Sequence, residues 1–497
     1  MEQKNRYKAA LLSLGCKVNS YETERIREDM VQKGFEIVDF SETADIYIVN
    51  TCSVTNIADR KSRQMLHRAR TLNPDAIVVA TGCYVQTEKD KEKLDEAADI
   101  LIGNNHKGNI AEAVLNYIEC RKNAAETVID DIGKEKAVES LSINDYPERS
   151  RAFVRIEDGC NQFCSYCIIP YARGRVRSRN EADILDEVRA LAVKGFKEVV
   201  ITGIHISSYG LDNYETFMKK MNSESEQKRN DDGLSVPGID TFDGTPLLSL
   251  VKKISEIEGI ERIRLGSLEP RIITKEFAIA LSGIKSFCPH FHLSLQSGCN
   301  TVLKRMNRHY TMQEFLEKCD ILRKVFDRPA ITTDVIVGFP GETDEEFEES
   351  KEMCKMAGFS KMHIFKYSRR KGTAADKMPG QLTEKIKHER SIELQKLDDK
   401  MRDEYISAFL GQNVKVLVEE KTDGYALGLT ERYVQVKFKL PADDQINRKN
   451  TEESSVIVQK ESIDIKYDDI DINDIVTVSV KEANADGILF GELQKNT

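Results

Sequence analysis

The chain has 497 residues, of which 40% are hydrophobic and 31% charged; this excludes a peptide, a disordered chain or a collagen-like one and predicts about three domains, each with its own core. Eleven cysteines, an N-terminus (MEQKNRYKAALLSLGCKVNS) without a secretory pattern and the lack of any apolar run of membrane-spanning length argue against a disulfide framework. They point instead to thiolate ligands in a cytoplasmic protein with no membrane partner. The net charge of -10 argues against a nucleic-acid partner only until its source is located: acidic residues outnumber basic ones seven to four in 213–245 and ten to four in 443–474, and the remainder is nearly neutral.

Over the first 120 residues apolar runs alternate with helical patterns: ALLSLG then YETERIREDMVQKGF, ADIYIVN then NIADRKSRQMLHRAR, AIVVATG then a charged helical stretch, ADILIG then NIAEAVLNYI. This order predicts a parallel sheet covered by helices, an α/β domain over residues 1–122. Cys16, Cys52 and Cys83 each stand just past the end of a predicted strand, at the edge where open parallel sheets bind ligands. Each of them alone also reads as a small buried hydrophobe. Residues 121–150 read as a linker or crossing segment. Six further strands (AFVRIEDG, EVVITGIH, RIRLGS, FHLSLQSG, ITTDVIVGFP and MHIFKYSR), each followed by helix-compatible sequence, predict a partial TIM-type (β/α)6 barrel over 146–382. The acidic stretch 213–245 interrupts it as a surface loop. A charged helix at 383–409 then leads to short alternating strands, which predict a small antiparallel β-barrel over 410–497.

The strongest chemical signal is Cys160-x3-Cys164-x2-Cys167, in RIEDGCNQFCSYCIIPYARGR directly after the first strand of the six-unit series. Three close thiolates hold three irons of a 4Fe-4S cluster and leave the fourth iron open to a small molecule, whereas an electron carrier ordinarily has four cysteine ligands. Structural zinc fits less well, because the paired Cys-x2-Cys and its distant partner pair are missing. Cys120, Cys288, Cys299, Cys319 and Cys354 have no such arrangement, and for Cys319 and Cys354, in helical patterns, core packing is expected. Basic clusters occur at Arg60, Lys61, Arg63, Arg68 and Arg70, at Arg173, Arg175, Arg177 and Arg179, and at Arg369, Arg370 and Lys371. Each reads first as a solvated face; the second alternates strictly beside the cysteine loop, which predicts guanidinium groups on one face suited to phosphates.

CxxxCxxC after the first strand of a partial β/α barrel resembles the radical S-adenosylmethionine superfamily. The strings GCKVNSYETE, NTCSVT, ATGCYVQ, DGCNQFCSYCIIPYARGR, SLEP, LSLQSG and VGFPGET, in a three-domain order, resemble the methylthiotransferases over nearly all of the chain. GCKVN followed by YETE is most similar to the branch that acts on N6-threonylcarbamoyladenosine of tRNA.

The resemblance implies two 4Fe-4S clusters. One, on Cys160, Cys164 and Cys167, cleaves S-adenosylmethionine to a 5′-deoxyadenosyl radical, and one, on Cys16, Cys52 and Cys83, carries sulfur. It implies S-adenosylmethionine as cofactor, a low-potential electron donor, a sulfur source, and a C-terminal TRAM domain that grips tRNA. The acidic segment 443–474 inside that module would repel phosphate unless it loops away. Gly203, His205, Ser267, Glu269, Gln296, Asp334 and Gly338, at strand ends in TGIH, SLEP, LSLQSG and DVIVGFPGE, are the candidates to hold the cofactor. Gly338 and Gly341 would permit close backbone approach. The implied reaction places a methylthio group on C2 of that adenine, next to the anticodon, where an unactivated C–H bond requires a radical route. Two other methylthiotransferase substrates, a ribosomal protein side chain and isopentenyl-adenosine tRNA, and a noncatalytic iron-sulfur RNA-binding protein are the alternatives.

Overall fold

A computed structural model of the chain describes residues 7–88, 98–119, 126–144, 146, 150–213, 244–422, 424–440 and 470–494. The N-terminal apolar runs become β1 (Lys8–Ser13), β2 (Glu36–Val38), β3 (Ile46–Thr51), β4 (Ile77–Gly82) and β5 (Ile100–Ile102). With β6 (Glu126–Val128) they form one sheet in the order β2-β1-β3-β4-β5-β6, every pair parallel. β3 is buried at every position, as a strand covered on both faces must be. Helices α1 (Lys17–Gln32) and α4 (Ile110–Glu119) cover one face through Ile26, Met30, Ile110 and Val114; α2 (Asn56–Leu72) covers the other through Leu66 and Ala69. Between β4 and β5 lies the short α3 (Cys83–Thr87).

The sheet runs past residue 122, which corrects the expected domain boundary. The segment 126–144 is also no free linker: it lends the edge strand β6 and then packs between domains. Ile143 N–H donates to Glu187 at 3.1 Å, and the Glu139 carbonyl accepts from Arg155 at 2.8 Å.

The six expected central strands form as β7 (Arg151–Arg155), β10 (Glu198–Thr202), β11 (Arg262–Leu265), β13 (His290–Leu293), β14 (Ala330–Val337) and β15 (Lys361–Lys366), with the two-residue pieces β8 (Glu157–Asp158), β9 (Arg177–Ser178) and β12 (Ser267–Leu268) between them. They lie in two parallel sheets, β7-β10-β11 and β12-β13-β14-β15, joined by a bridge between Ile263 and Phe287. β7 and β15 are the edges of this partial barrel. Two helix starts within it, after β13 and after β14, carry capping boxes, Thr311/Glu314 and Thr343/Glu346, in which each side chain accepts from the other residue's backbone N–H.

The connector helix α12 (Glu384–Ser407) leads to a closed barrel of β16 (Asn413–Thr422), β17 (Tyr425–Thr430), β18 (Gln435–Lys439), β19 (Ile475–Ala483) and β20 (Leu489–Leu493), in the order β16-β17-β18-β20-β19. Its pairs are antiparallel except β18 with β20. The expected insertions fall almost wholly outside the described residues, as do Cys120 and most of the charged stretch after Cys83. Asp474, at the end of the second insertion, ion-pairs with Lys197 of the central domain at 2.9 Å. Among the described residues no helix is long and apolar enough to cross a membrane.

The small barrel closes the floor of the large one. Arg262 donates to the carbonyls of Leu429 and Lys415 at 3.0 and 2.9 Å; Arg264 donates to Glu198 at 2.9 Å and to the carbonyls of Glu431 and Thr430 at 2.8 and 3.2 Å. Tyr433, held at φ 64, stacks on His290 with ring centres 5.0 Å apart and lies 4.9 Å from the Arg264 guanidinium. Arg264→Ala leaves Glu198 buried with Arg262, 3.6 Å away, as its partner, and three acceptors, the Glu198 carboxylate and the Glu431 and Thr430 carbonyls, each short of a donor. We expect it to cost about 3–5 kcal/mol, read as a lower urea midpoint; a loss under about 1 kcal/mol would mean that the floor contact is not structural.

Candidate functional site

The cysteine loop 160–167 is fastened on both sides. Gly159, at φ +83, lets the loop leave β8: a Cβ there would stand 1.9 Å from the Arg175 carbonyl. On the far side the turn after α9 (Asn300–Arg305) holds the loop. Asn307 donates to the Gln162 and Phe163 carbonyls at 3.2 and 3.1 Å, Ser165 N–H donates to the Met306 carbonyl at 3.0 Å, and the Ser165 hydroxyl donates to the Arg305 carbonyl at 2.8 Å. The three thiols stand on one short loop after β8 and are half-buried. Burial pushes Cys167 up to about 12, with Cys164 adding to the shift, and burial likewise raises Cys160, with Cys167 and Cys164 adding. The burial that raises Cys160 and Cys167 is a cost that a cationic iron centre would relieve.

Cys16, Cys52 and Cys83 follow three neighbouring strands, β1, β3 and β4, at one edge of the N-terminal sheet. Gly15, at φ +101, leaves room that a Cβ would fill, 2.5 Å from Cys52 Sγ. Burial pushes Cys52 up to about 12, with Cys83 and Cys16 adding to it. Polar side chains fix the three turns. Asn19 donates to the Leu14 and Thr51 carbonyls at 2.7 and 2.9 Å, Ser62 bonds the Cys52 backbone at both N–H and carbonyl, and Asn104 reaches Cys83 Sγ at 3.7 Å and the Ala172 carbonyl at 2.7 Å. Three thiols are, at each place, the donor chemistry that a three-thiolate cluster takes. α3, which begins at Cys83, packs on α5 (Ile169–Arg173), the helix just after the second triad.

Between them lies a buried ionic knot, and it corrects the expectation for the alternating arginines. Arg173 donates to Glu22 at 2.8 and 3.0 Å, to Asp158 at 3.2 Å and to Asn19 at 2.6 Å. Arg155 donates to Glu22 at 3.0 Å, and Lys107 closes the same carboxylate from the other side. Arg177 bonds Asn105 and the Arg173 carbonyl, and Arg179 bonds Glu187 at 2.7 Å. Arg173, Arg177 and Arg179 are therefore buried struts between domains and meet no phosphate. Only Arg175 faces solvent, its guanidinium 4.2 Å from the Phe163 ring centre. Arg370 is likewise spent: it is buried against Ser53, Asn56 and Asp59 of the N-terminal domain.

Of the cofactor candidates, His205, Glu269 and the cysteine loop come together through a residue that sequence reasoning missed. Arg308 donates to Cys164 Sγ at 3.2 Å and to the Ser294 carbonyl at 3.1 Å, and lies 3.7 Å from Glu269; His205 lies 4.0 Å from Glu269. Burial would raise the Glu269 carboxyl, but His205, Arg308 and Arg271 hold it down to about 2, so it is an anion at the mouth. On a second side, Gln296 (φ 72) bonds the Asp334 carbonyl at 2.8 Å, and the Asp334 carboxylate sits 3.4 Å from His292. Ser267 is exposed at the end of β12.

A Cβ on Gly203 would stand 2.3 Å from Glu157, and one on Gly338, at φ +73, would stand 2.4 Å from Lys387 of α12. A Cβ on Gly341 would meet nothing within 4 Å. Cys319 and Cys354 sit in the central core as expected.

Comparison with known proteins agrees with this geometry. The profile of the Radical SAM superfamily matches residues 154–354, and that of an uncharacterized protein family, UPF0004, matches residues 8–103. The chain is 38% identical over 437 residues to the threonylcarbamoyladenosine tRNA methylthiotransferase MtaB of Bacillus subtilis (strain 168), covering 86% of this chain and 90% of the relative. It is 39% identical over 432 residues to the protein of that name from Aquifex aeolicus (strain VF5), covering 86% and 96%. It is 34% identical over 422 residues to the tRNA-2-methylthio-N(6)-dimethylallyladenosine synthase of Caldicellulosiruptor saccharolyticus, covering 84% and 82%.

Proposed function

The chain belongs to the radical S-adenosylmethionine methylthiotransferase family, and we propose that it attaches a methylthio group to C2 of N6-threonylcarbamoyladenosine in tRNA. The observation that carries this reading is the packing of α3, which begins at Cys83, on α5, just after Cys167, in a chain whose relatives of 38 and 39% identity bear that substrate in their names. Bound at Cys160, Cys164 and Cys167, a 4Fe-4S cluster would supply the electron that cleaves S-adenosylmethionine to a radical, and a second at Cys16, Cys52 and Cys83 would supply sulfur.

The chain's own residues do the rest. Asn307 and Ser165 hold the cysteine loop in register with the barrel. Glu269, an anion beside His205 and Arg308, is placed for the cofactor's ammonium, and Arg308 for its carboxylate. Gln296, just past β13, and Asp334, within β14, would hold its ribose and adenine. Asn19, Ser62 and Asn104 keep the sulfur-side thiols turned toward the same mouth.

Arg308→Met removes a cationic donor from Cys164 Sγ. A shift of the midpoint potential of that centre to a more negative value is expected in an EPR-monitored titration; an unchanged potential would place Arg308 outside the sphere of the sulfur.

Nucleoside analysis of tRNA from a strain lacking this protein tests the function. Loss of the methylthio group from threonylcarbamoyladenosine, restored by the intact gene, is the expected result. Unchanged tRNA with a lost mass shift on a ribosomal protein, or a loss confined to isopentenyl-adenosine, would overturn the substrate assignment.

A further inference from the structure

With three of the four alternating arginines and Arg370 buried, the phosphate-binding surface that a tRNA substrate requires lies elsewhere. α2 supplies it. The helix buries Ser62, Leu66 and Ala69 against the sheet, and at 100° per residue the opposite face carries Ile57, Arg60, Lys61, Gln64, His67 and Arg68, all exposed. Its two ion pairs to other elements, Asp59 with Arg370 at 2.6 Å and Arg70 with Asp99 at 2.5 Å, neutralise its single acidic residue and one further arginine at its flanks. Arg63 leans on Tyr84, 5.6 Å from the ring centre. Arg60, Lys61 and Arg68 remain as solvent-facing charges on a chain whose net charge is -10, with exposed Asp39 the acidic group near Arg68.

The position of this stripe is fixed relative to the site. The first turn of α2 is bonded to the loop after β15, through Asn56 N–H to Ser368 at 3.1 Å and through Arg370 to Ser53, Asn56 and Asp59. Its inner face holds Cys52 through Ser62. The end at the mouth is apolar, with Val54 and Ile57 exposed by 48% and 66%, and the basic groups follow over the next three turns. Positions 57 to 68 span about 17 Å. That is the order of groups an RNA stem entering the mouth would meet, with bases at the apolar end and backbone along the helix.

Resting on the tRNA reading above, we propose that the outer face of α2 is a docking surface for the phosphodiester backbone of the RNA stem that carries the modified nucleotide. Each phosphate neutralised by Lys or Arg contributes about 0.7–0.9 to the slope of log K against log salt.

The test is tRNA binding by the full, cluster-loaded protein at several salt concentrations, for wild type and for the combined variant Arg60→Gln, Lys61→Gln, Arg68→Gln. A second variant, Lys385→Gln, Lys396→Gln, Lys400→Gln, removes three exposed charges from α12 as a control for net charge. We expect the α2 variant to bind more weakly, with a slope smaller in magnitude by about 2–3. Its methylthiolation should suffer through KM, with iron content and thermal unfolding as in wild type, and the α12 variant should keep the wild-type slope. Equal slopes for wild type and the α2 variant, with methylthiolation intact, would overturn the docking surface and leave the function standing, as would equal losses in the two variants. A wild-type protein that neither binds nor methylthiolates tRNA would overturn both.

Discussion

Replacing Cys164 with Ala is expected to reduce both 5′-deoxyadenosine formation and methylthiolated tRNA to background, whereas Cys52→Ala keeps 5′-deoxyadenosine formation and loses the nucleoside product. The asymmetry follows from the division of the six thiols. Cys164 stands on one loop with Cys160 and Cys167 and accepts from Arg308, which lies 3.7 Å from Glu269. Cys52 sits on the other wall, at the end of β3, bonded to Ser62 and backed by Gly15. Both variants are checked in one anaerobic reaction by quantifying the two products. If the Cys52 variant still methylthiolates tRNA, the sulfur-side triad is misassigned; if the Cys164 variant still forms 5′-deoxyadenosine, the radical-side triad is.

The second large effect lies in the ionic knot that joins the N-terminal sheet to the barrel. Glu22 accepts from Arg173, Arg155 and Lys107, all of them buried. Glu22→Gln leaves three buried cations with Asp158 as the nearest compensating charge, and removal of one partner from such a pair costs about 3–5 kcal/mol. The readout is the urea midpoint of the protein before cluster loading, where a change below about 1 kcal/mol would contradict the account.

The pH dependence has a defined sign. Burial would raise the Glu22 carboxyl, but Arg173 and Lys107 hold it far below its ordinary 4.5. A carboxylate so depressed stabilises the fold fully above its unfolded value and loses that contribution as pH falls toward the folded one. Wild-type stability should therefore drop as pH falls below about 4.5, and the Gln variant should lack this part of the drop.

What could be read in the sequence was what is local. Cys-x3-Cys-x2-Cys declares its chemistry by spacing, and ALLSLG, IYIVNT and IVVATG end in cysteines because the strands end there; parallel pairing of β1, β3 and β4 then sets those cysteines on one edge. Alternation at Arg173, Arg175, Arg177 and Arg179 was equally local and misled. A period of two says which residues share a face but not what covers it, and the cover, Glu22, stands 151 residues from Arg173. Arg308 escaped for the same reason: its contact with Cys164 spans 144 residues, and nothing in RMNRHY marks it. Gly338 was read as a glycine for close backbone approach, whereas its φ of +73 and its neighbour Lys387, from the connector helix, appear only in the fold. The C-terminal strands predicted a barrel; that its Tyr433 would seal the floor of the central domain depends on contacts with Arg264 and His290 that no strand pattern encodes.

The central claim is that both triads serve one reaction on tRNA. Its most direct test reconstitutes the protein anaerobically with iron and sulfide, adds dithionite, S-adenosylmethionine and tRNA bearing N6-threonylcarbamoyladenosine, and follows 5′-deoxyadenosine and modified nucleosides by mass spectrometry. The account predicts that 2-methylthio-N6-threonylcarbamoyladenosine appears together with 5′-deoxyadenosine. Formation of 5′-deoxyadenosine without that nucleoside would contradict the substrate, and formation of neither would contradict the catalytic reading itself.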